Sequence, residues 1–234
     1  MAHTDKMAHQ LASLLQPDLS GFRYTRSRTQ FRKTENPFSD DLIINVTSRS
    51  GASHSIAFYI GVAHSEVEAF VANLEGRKVS PYDRTILQYS PNVLKQAVIP
   101  FDGSVWWWGL PPGGDLAPIL ADVHRFVTEF ALAYYSRFHD LRAIRESLVK
   151  RDGLSLNINA FKQVLAIDAV LADDEHVGTY LSLLQDEIDS GYHHDCDEFN
   201  VFYDRLSKTD EDLFPSFRLH PRGDSAGDTG KGNV

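Results

Sequence analysis

Leu42-Ile43-Ile44-Asn45-Val46-Thr47, then Ser50-Gly51-Ala52-Ser53, then Ser55-Ile56-Ala57-Phe58-Tyr59-Ile60-Gly61-Val62 is the stretch that decides the fold. Both outer runs are rich in β-branched and aromatic residues, which suit a pleated, half-buried surface. The small polar segment between them has turn chemistry, so the two runs read as an antiparallel hairpin. Upstream, Phe22-Arg23-Tyr24-Thr25-Arg26 and Gln30-Phe31-Arg32-Lys33 alternate apolar and basic residues. They read as two more short strands with their bases turned outward. Sequential strands of this kind build an antiparallel sheet.

Helical spacing surrounds that sheet. Met7, Leu11, Leu14 and Leu15 share one helical face, closed by Pro17. After the hairpin, Ser65 reads as an N-cap, Val67, Phe70, Val71 and Leu74 as an apolar face, and Gly76 as the stop. Pro81, Pro91 and Pro100 break any long element in residues 77–103. Thr85–Tyr89 and Val105–Trp108 suit further strands. From about Asp115 a long helix carries Leu116, Ile119, Leu120, Val123, Phe126, Val127 and Phe130 on to Tyr135. Phe138-His139-Asp140-Leu141 breaks it, and Leu141, Ile144 and Leu148 begin another helix.

Beyond Gly153 the periodicity is helical throughout. Ile158, Phe161, Val164, Leu165 and Val170 mark one helix. Asp173 reads as the cap of the next, which carries Val177, Tyr180, Leu181, Leu184 and Ile188 and ends at Gly191. A third holds Phe199, Phe202 and Leu206, with Asp195 or Asp197 as its cap. The expected class is α+β: an antiparallel sheet of four to six strands with packed helices, then a C-terminal helical hairpin or bundle extension. The expected division is a core over residues 1–150, an acidic helical extension over 151–214, and a disordered tail over 215–234.

Charge is divided unevenly along the chain. Of 234 residues, 23 are Lys or Arg and 32 are Asp or Glu, a net of -9. Residues 1–167 hold 18 bases and 16 acids, whereas residues 168–234 hold 5 bases and 16 acids. Such a one-sided block repels nucleic acid and anionic lipid, and attracts basic partners. A chain 42% hydrophobic and 24% charged has ordinary globular composition. The lone Cys196 excludes an intrachain disulfide and fits a reducing compartment. No stretch approaches the roughly 18 apolar residues of a membrane span, and the polar start carries no secretory signal. A cytoplasmic protein, monomeric or weakly dimeric and without a cofactor, is the expectation.

No strong catalytic motif is present. There is no Gly-x-Ser-x-Gly elbow and no phosphate-cradling glycine motif. His193, His194, Asp195 and Cys196 are ligand types suited to zinc, and Asp197 and Glu198 follow them. Adjacent ligands cannot all point at one ion, so a polar loop running into a helix cap is the preferred reading. A metal-dependent hydrolase using His193–Glu198 is the alternative. His124 and His139 read as satisfied polar residues on helices, and Glu66 and Glu68 as charges of a first helical turn. Trp106, Trp107 and Trp108 cannot share one face of a strand, so either Trp107 or the pair Trp106 and Trp108 faces outward. Arg23, Arg26, Arg28, Arg32 and Lys33 suit either phosphate contact or pairing within the molecule.

Several of these marks occur together from Leu11 to about Leu148. They are an amphipathic helix before Gly21-Phe22, the strand Phe31-Arg32-Lys33, a hairpin ending Phe58-Tyr59-Ile60-Gly61-Val62, and Val105-Trp106-Trp107-Trp108 before a long helix. That helix closes on Ala131-Leu132-Ala133-Tyr134-Tyr135-Ser136-Arg137-Phe138-His139-Asp140-Leu141. In this order the chain resembles the uncharacterised bacterial domain-of-unknown-function family 4304. The resemblance implies an α+β fold and no established activity. It also raises an immunity role, because related small acidic bacterial proteins often serve as immunity partners of secreted toxins.

A non-catalytic protein-binding role is therefore expected, as an immunity protein holding a basic toxin. The residues expected to bind are Asp173, Asp174, Glu175, Asp186, Glu187, Asp189, Asp195, Asp197 and Glu198, with Trp106 or Trp108 as an apolar anchor. A housekeeping scaffold whose acidic helices are simply solvated is the rival reading.

Overall fold

Six strands form one antiparallel sheet: β1 (Arg23–Thr25), β2 (Gln30–Glu35), β3 (Phe38–Ser48), β4 (His54–His64), β5 (Ile86–Tyr89) and β6 (Trp108–Leu110). They belong to a computed structural model that describes residues 3–48, 54–81, 83–89, 108–110, 115–150, 158–191 and 195–222. The order is β1-β2-β3-β4-β5, and β6 pairs with the start of β4 at His54–Ile56 while β5 pairs further along it at Tyr59–Val62. The hairpin is longer than its apolar pattern: β3 and β4 pair from Phe38↔His64 to Ser48↔His54. Asp40 and Asp41, just before the apolar run, are thus strand residues and are buried. The Ser50–Ser53 turn lies outside the described residues.

Alternation along these strands gives the sheet two unlike faces. Phe31, Leu42, Ile44, Phe58, Ile60 and Val62 point to one face and are fully or almost fully buried. The helix α1 (His3–Leu15) packs on it against β3. Met7, Leu11 and Leu15 turn inward as the spacing requires, with Ala8 and Ala12 completing the face. Leu14 does not; it is 42% exposed.

The helix α2 (Ser65–Glu75) follows β4 directly and stops at Gly76, whose φ of 72° is the left-handed conformation that glycine tolerates. Ser65 is its first helical residue rather than its cap; the extended His64 holds the cap position without a side-chain bond. Glu66 and Glu68 are charges of its first turn, as expected; the second is the buried one. Glu68 accepts the Thr85 hydroxyl at 2.7 Å, while the Thr85 oxygen accepts the His64 N–H at 2.8 Å. That relay ties α2 to the residue before β5.

The expected long helix is one run in three parts: α3 (Ala117–Arg125), a π-helical turn (Phe126–Ala131) and α4 (Leu132–Phe138). Asp115 starts it by accepting the Ala117 N–H at 3.0 Å. Phe126 stacks on Phe58 at 5.3 Å and meets Trp108 edge-on at 5.5 Å between ring centres. The break at His139 and Asp140 stands where expected, before α5 (Leu141–Lys150). His139 is satisfied, bonding Asp40 at 2.7 Å and stacking on Phe38 at 4.8 Å. His124 bonds Asp18.

His64 supports a pH prediction. Its ring is buried, and Nδ1 has no hydrogen-bond partner among the described residues. Burial, only partly offset by Glu66, holds its pKa below the ordinary 6.5. A histidine depressed in this way contributes stability above its unfolded pKa and loses it as pH falls through the folded value. Unfolding free energy is expected to fall as pH drops below the ordinary histidine value of 6.5, with a shallower slope in His64→Phe. Equal slopes in denaturant titrations of the two proteins would contradict this.

The chain divides into two compact units, Met1–Leu156 and Asn157–Val234. The second contains α6 (Ile158–Leu171), α7 (Val177–Asp189) and α8 (Cys196–Ser207). Phe161, Val164, Leu165, Tyr180, Leu184, Phe199, Phe202 and Leu206 form its core. The expectation of disorder from residue 215 is corrected for residues 215–222. Leu219 is buried, and its backbone N–H and C=O both bond to Asn200. Tyr203 donates its hydroxyl to the Pro215 carbonyl at 3.0 Å, and Gln185 bonds both backbone groups of His220. Buried Leu219, the Phe217 ring edge-on to Tyr203 at 5.7 Å and a set of backbone bonds offset the ordering entropy that the polar sequence suggested would win.

Candidate functional site

Helical periodicity sorts the charges of the second unit. Once Val177, Tyr180, Leu181, Leu184 and Ile188 turn inward on α7, Asp186 and Asp189 must face out. Of the expected binding carboxylates, Asp174, Glu175, Asp186, Asp189, Asp195, Asp197 and Glu198 are exposed, and Asp173 and Glu187 are half-buried. They do not form one continuous surface. Asp173, Asp174 and Glu175 lie in the turn that enters α7. Asp186, Glu187 and Asp189 occupy its last turn, and Asp195, Asp197 and Glu198 open α8. The 13 residues of α7 put about 20 Å between its two ends. The second group is the denser, since only the short step from Ser190 to Asp195 separates its two helices.

Some of these carboxylates have a structural explanation. Asp195 caps α8, accepting the Glu198 N–H at 2.9 Å. Asp197 and Glu198 sit in the first turn, where the helix dipole favours negative charge. Glu198 also pairs with the Lys162 ammonium, which is almost fully buried and lies 5.6 Å from the Phe202 ring centre. Asp173 is not the cap of α7, because the helix begins at Val177 and His176 holds that position. Its carboxylate instead accepts the Glu175 N–H at 3.2 Å within the turn.

Asp186, Glu187 and Asp189 stand against the dipole instead, with Asp189 accepting a bond from Gln185 Nε2 at 3.0 Å. They crowd the C-terminal turn of α7, where the dipole is negative and where no base stands in the last turn. Gly191, at φ 97°, passes just beyond, with the Arg222 guanidinium against it. Charge placed against the dipole costs stability, so neutralising it is expected to help. Asp186→Asn with Asp189→Asn should raise unfolding free energy by about 0.3–1 kcal/mol per site at low salt, and less at high salt. A denaturation midpoint that falls in the double variant would contradict this.

The other candidates fare differently. Trp108 is corrected: it is 3% exposed, wedged between Phe58 and Phe126, and cannot anchor a partner. Trp106 and Trp107 lie outside the described residues, as do His193 and His194. Of the zinc-type loop, Asp195 is committed to its cap. Cys196 has its thiol pKa pushed up, first by burial and then by Asp197 and Asp195. Thiolate is the form that ligates zinc, and this environment disfavours it. Among the described residues no group of three or more His, Cys, Asp or Glu is arranged to hold a metal ion.

The sheet unit holds a second charged constellation, which joins bases named from the sequence to a buried carboxylate that was not. Asp41 is fully buried on the face opposite the helices. It accepts Arg32 Nε at 2.8 Å and Arg32 Nη2 at 2.9 Å, and a bond from Gln30 Nε2. Arg84 Nε lies 2.5 Å from its Oδ2, the oxygen that Arg32 Nη2 also bonds, with the Arg84 side chain only 4% exposed. Tyr135 donates to the Asp41 backbone carbonyl at 2.8 Å from the opposite face. Next to this cluster Arg23, Arg28 and Arg32 line an open cavity of about 420 Å³ together with Gly21, Thr25, Gln30 and Thr34. The missed signal was the strand's own register, which sets Arg32 against Asp41 across β2 and β3.

No family model, no curated protein and no solved structure matches this chain. Among the described residues no helix is long and apolar enough to cross a membrane.

Proposed function

We propose that this chain is a non-catalytic protein-binding protein whose helical unit captures a basic protein partner. The form of that function that fits best is a cytoplasmic immunity protein that neutralises a basic, nucleic-acid-attacking bacterial toxin. One observation carries the reading: the acidic excess of the helical unit is left on its surface. Asn157–Val234 holds 16 carboxylates and 6 bases. Lys162 is buried against Glu198, and Arg218 pairs with Asp204 at 3.1 Å. Asp186 and Asp189 are exposed at a helix end that they destabilise, which is the pattern of charge kept for a purpose other than folding.

The chemistry follows from what such a toxin must carry. A protein that grips a phosphate backbone presents Lys and Arg at phosphate spacing, and carboxylates can occupy the same positions. Opposite charge also speeds encounter and suppresses wrong partners. The resemblance to domain-of-unknown-function family 4304 over residues of about 11–148 belongs to the same reading. It is tested by co-expressing the chain with the products of the adjacent genes. Restored growth with one of them supports it, and a chain that relieves no neighbour's toxicity contradicts it.

A further inference from the structure

Residues 215–222, Pro-Ser-Phe-Arg-Leu-His-Pro-Arg, lie against both α7 and α8 and are neither helix nor strand. Pro221 biases His220 towards extended backbone. An extended segment outside a sheet needs partners for its backbone groups, and here two side-chain carboxamides supply them. Asn200 of α8 donates to the Leu219 carbonyl at 3.1 Å and accepts the Leu219 N–H at 2.8 Å. Gln185 of α7 does the same for His220, at 3.0 Å and 2.9 Å, and a further bond to Asp189 at 3.0 Å orients it. A carboxamide carries both a donor and an acceptor, so each one matches the N–H and C=O of a single residue. Such clamps hold a main chain whatever its sequence.

Selectivity comes from the side chains between and beyond the clamps. Leu219 fills an apolar pocket and is 2% exposed. Arg218 pairs with Asp204 at 3.1 Å. Arg222 reaches the end of α7, where its Nη1 stands 2.6 Å from the place a Cβ on Gly191 would take. Only glycine leaves room for a guanidinium there. The segment thus carries two of the six bases of the helical unit and no acid. It is also lightly held: six of its eight residues are exposed, and Leu219 alone is buried. Segments with few buried apolar contacts and solvent-facing bonds open at low free energy.

We propose that the groove between α7 and α8 is a binding site for an extended basic segment of the protein partner, and that residues 215–222 are a displaceable strap that occupies it in the free chain. The proposal rests on the partner-capture reading above and specifies what the partner presents. Asn200 and Gln185 hold two consecutive residues of its main chain, and an aliphatic side chain enters the Leu219 pocket. One base stands directly before that residue, towards Asp204, and another three residues after it, at the acidic end of α7. The strap is an intramolecular competitor, so the apparent affinity for the partner segment is reduced by the fraction of the chain in which the groove is open.

The test titrates the full chain with a fluorescein-labelled synthetic peptide of residues 215–222, followed by anisotropy. Leu219→Ser empties the pocket, and Arg222→Glu sets a carboxylate at the dipole-negative end of α7, so both loosen the strap. Each variant is expected to bind the peptide at least about tenfold more tightly than wild type, and Asn200→Ala added to either removes the gain. Arg222 is exposed, so its variant tests the groove even where Leu219→Ser disturbs the core. A peptide with serine in place of both arginines should bind at least about tenfold more weakly. In the wild-type chain the Leu219 and His220 amides should exchange hydrogen at least about a hundredfold faster than the interior amides of α8. No saturable binding to Arg222→Glu, equal affinity for the basic and the serine peptide, or exchange of Leu219 in step with α8 overturns the proposal. So do concentration-dependent dimers in sedimentation, in which the strap of one copy fills the groove of another. Rescue of growth without peptide binding overturns the groove and leaves partner capture standing, so the two readings fail separately.

Discussion

Asp41→Ala is expected to cost the sheet unit about 3–5 kcal/mol of unfolding free energy, a large fraction of the roughly 5–15 kcal/mol that holds a domain together. The reason is Arg84 more than Arg32. Arg32 is 29% exposed at its side chain and can turn to water when its partner goes. Arg84 is 4% exposed and has nowhere to go. Burial already pushes its guanidinium below the usual arginine range, against the pull of Asp41. Removing the carboxylate takes the ion-pair partner from a buried cation and leaves it the Pro81 carbonyl, which costs more than the intact pair contributes. A compensating variant separates the two effects. Asp41→Leu combined with Arg84→Met removes both charges from the interior and should recover most of the lost stability. Guanidinium denaturation of the single and double variants measures the coupling directly. A single variant within about 1 kcal/mol of wild type would mean that the cluster is wet and does not hold β3.

Reversing Asp174, Asp186, Asp189 and Asp197 to lysine is expected to weaken partner capture at least about a hundredfold. These four are chosen because Asp195 and Glu198 have structural roles, as the cap of α8 and the partner of buried Lys162. Reversal at Asp186 and Asp189 places cations at the C-terminus of α7, where the dipole favours them. Reversal at Asp174 and Asp197 places cations near helix N-termini, where it does not. The two effects oppose each other at about 0.3–1 kcal/mol per site, so the melting temperature should change little. Loss of capture with an unchanged melting temperature is then a binding effect. A solvated scaffold face would show neither loss.

The hairpin was legible because its signals agree: β-branched runs, a small polar turn and a helix start all point one way. The helical unit was legible for the same reason, each of its helices carrying apolar residues at three and four. What stayed hidden was set by neighbours distant in sequence. The apolar run that marks β3 begins at Leu42, and nothing in it announces Asp40 and Asp41 as buried strand residues. The register with β2 and the arrival of Arg84 and His139 make them strand residues with partners. Trp108 could have faced either way on a short strand, and only pairing with β4 turns it towards Phe58 and Phe126. Leu219 and Phe217 stand among prolines and polar residues, and no helical periodicity announces their docking. On α7 and α8, by contrast, which carboxylates face water follows from helical phase once the apolar face is known. That is why the acidic surface was visible in sequence, while of the arginine cavity only the bases Arg23, Arg28 and Arg32 were. The cavity needs two strands and a turn to assemble.

The most direct measurement is growth of cells that carry each adjacent gene product together with either the wild-type chain or the four-site lysine variant. With the toxic neighbour present, the wild-type chain is predicted to restore growth and the equally stable variant to fail. Rescue by the variant as complete as by the wild type, or no rescue by the wild type, would contradict capture through the acidic helical surface.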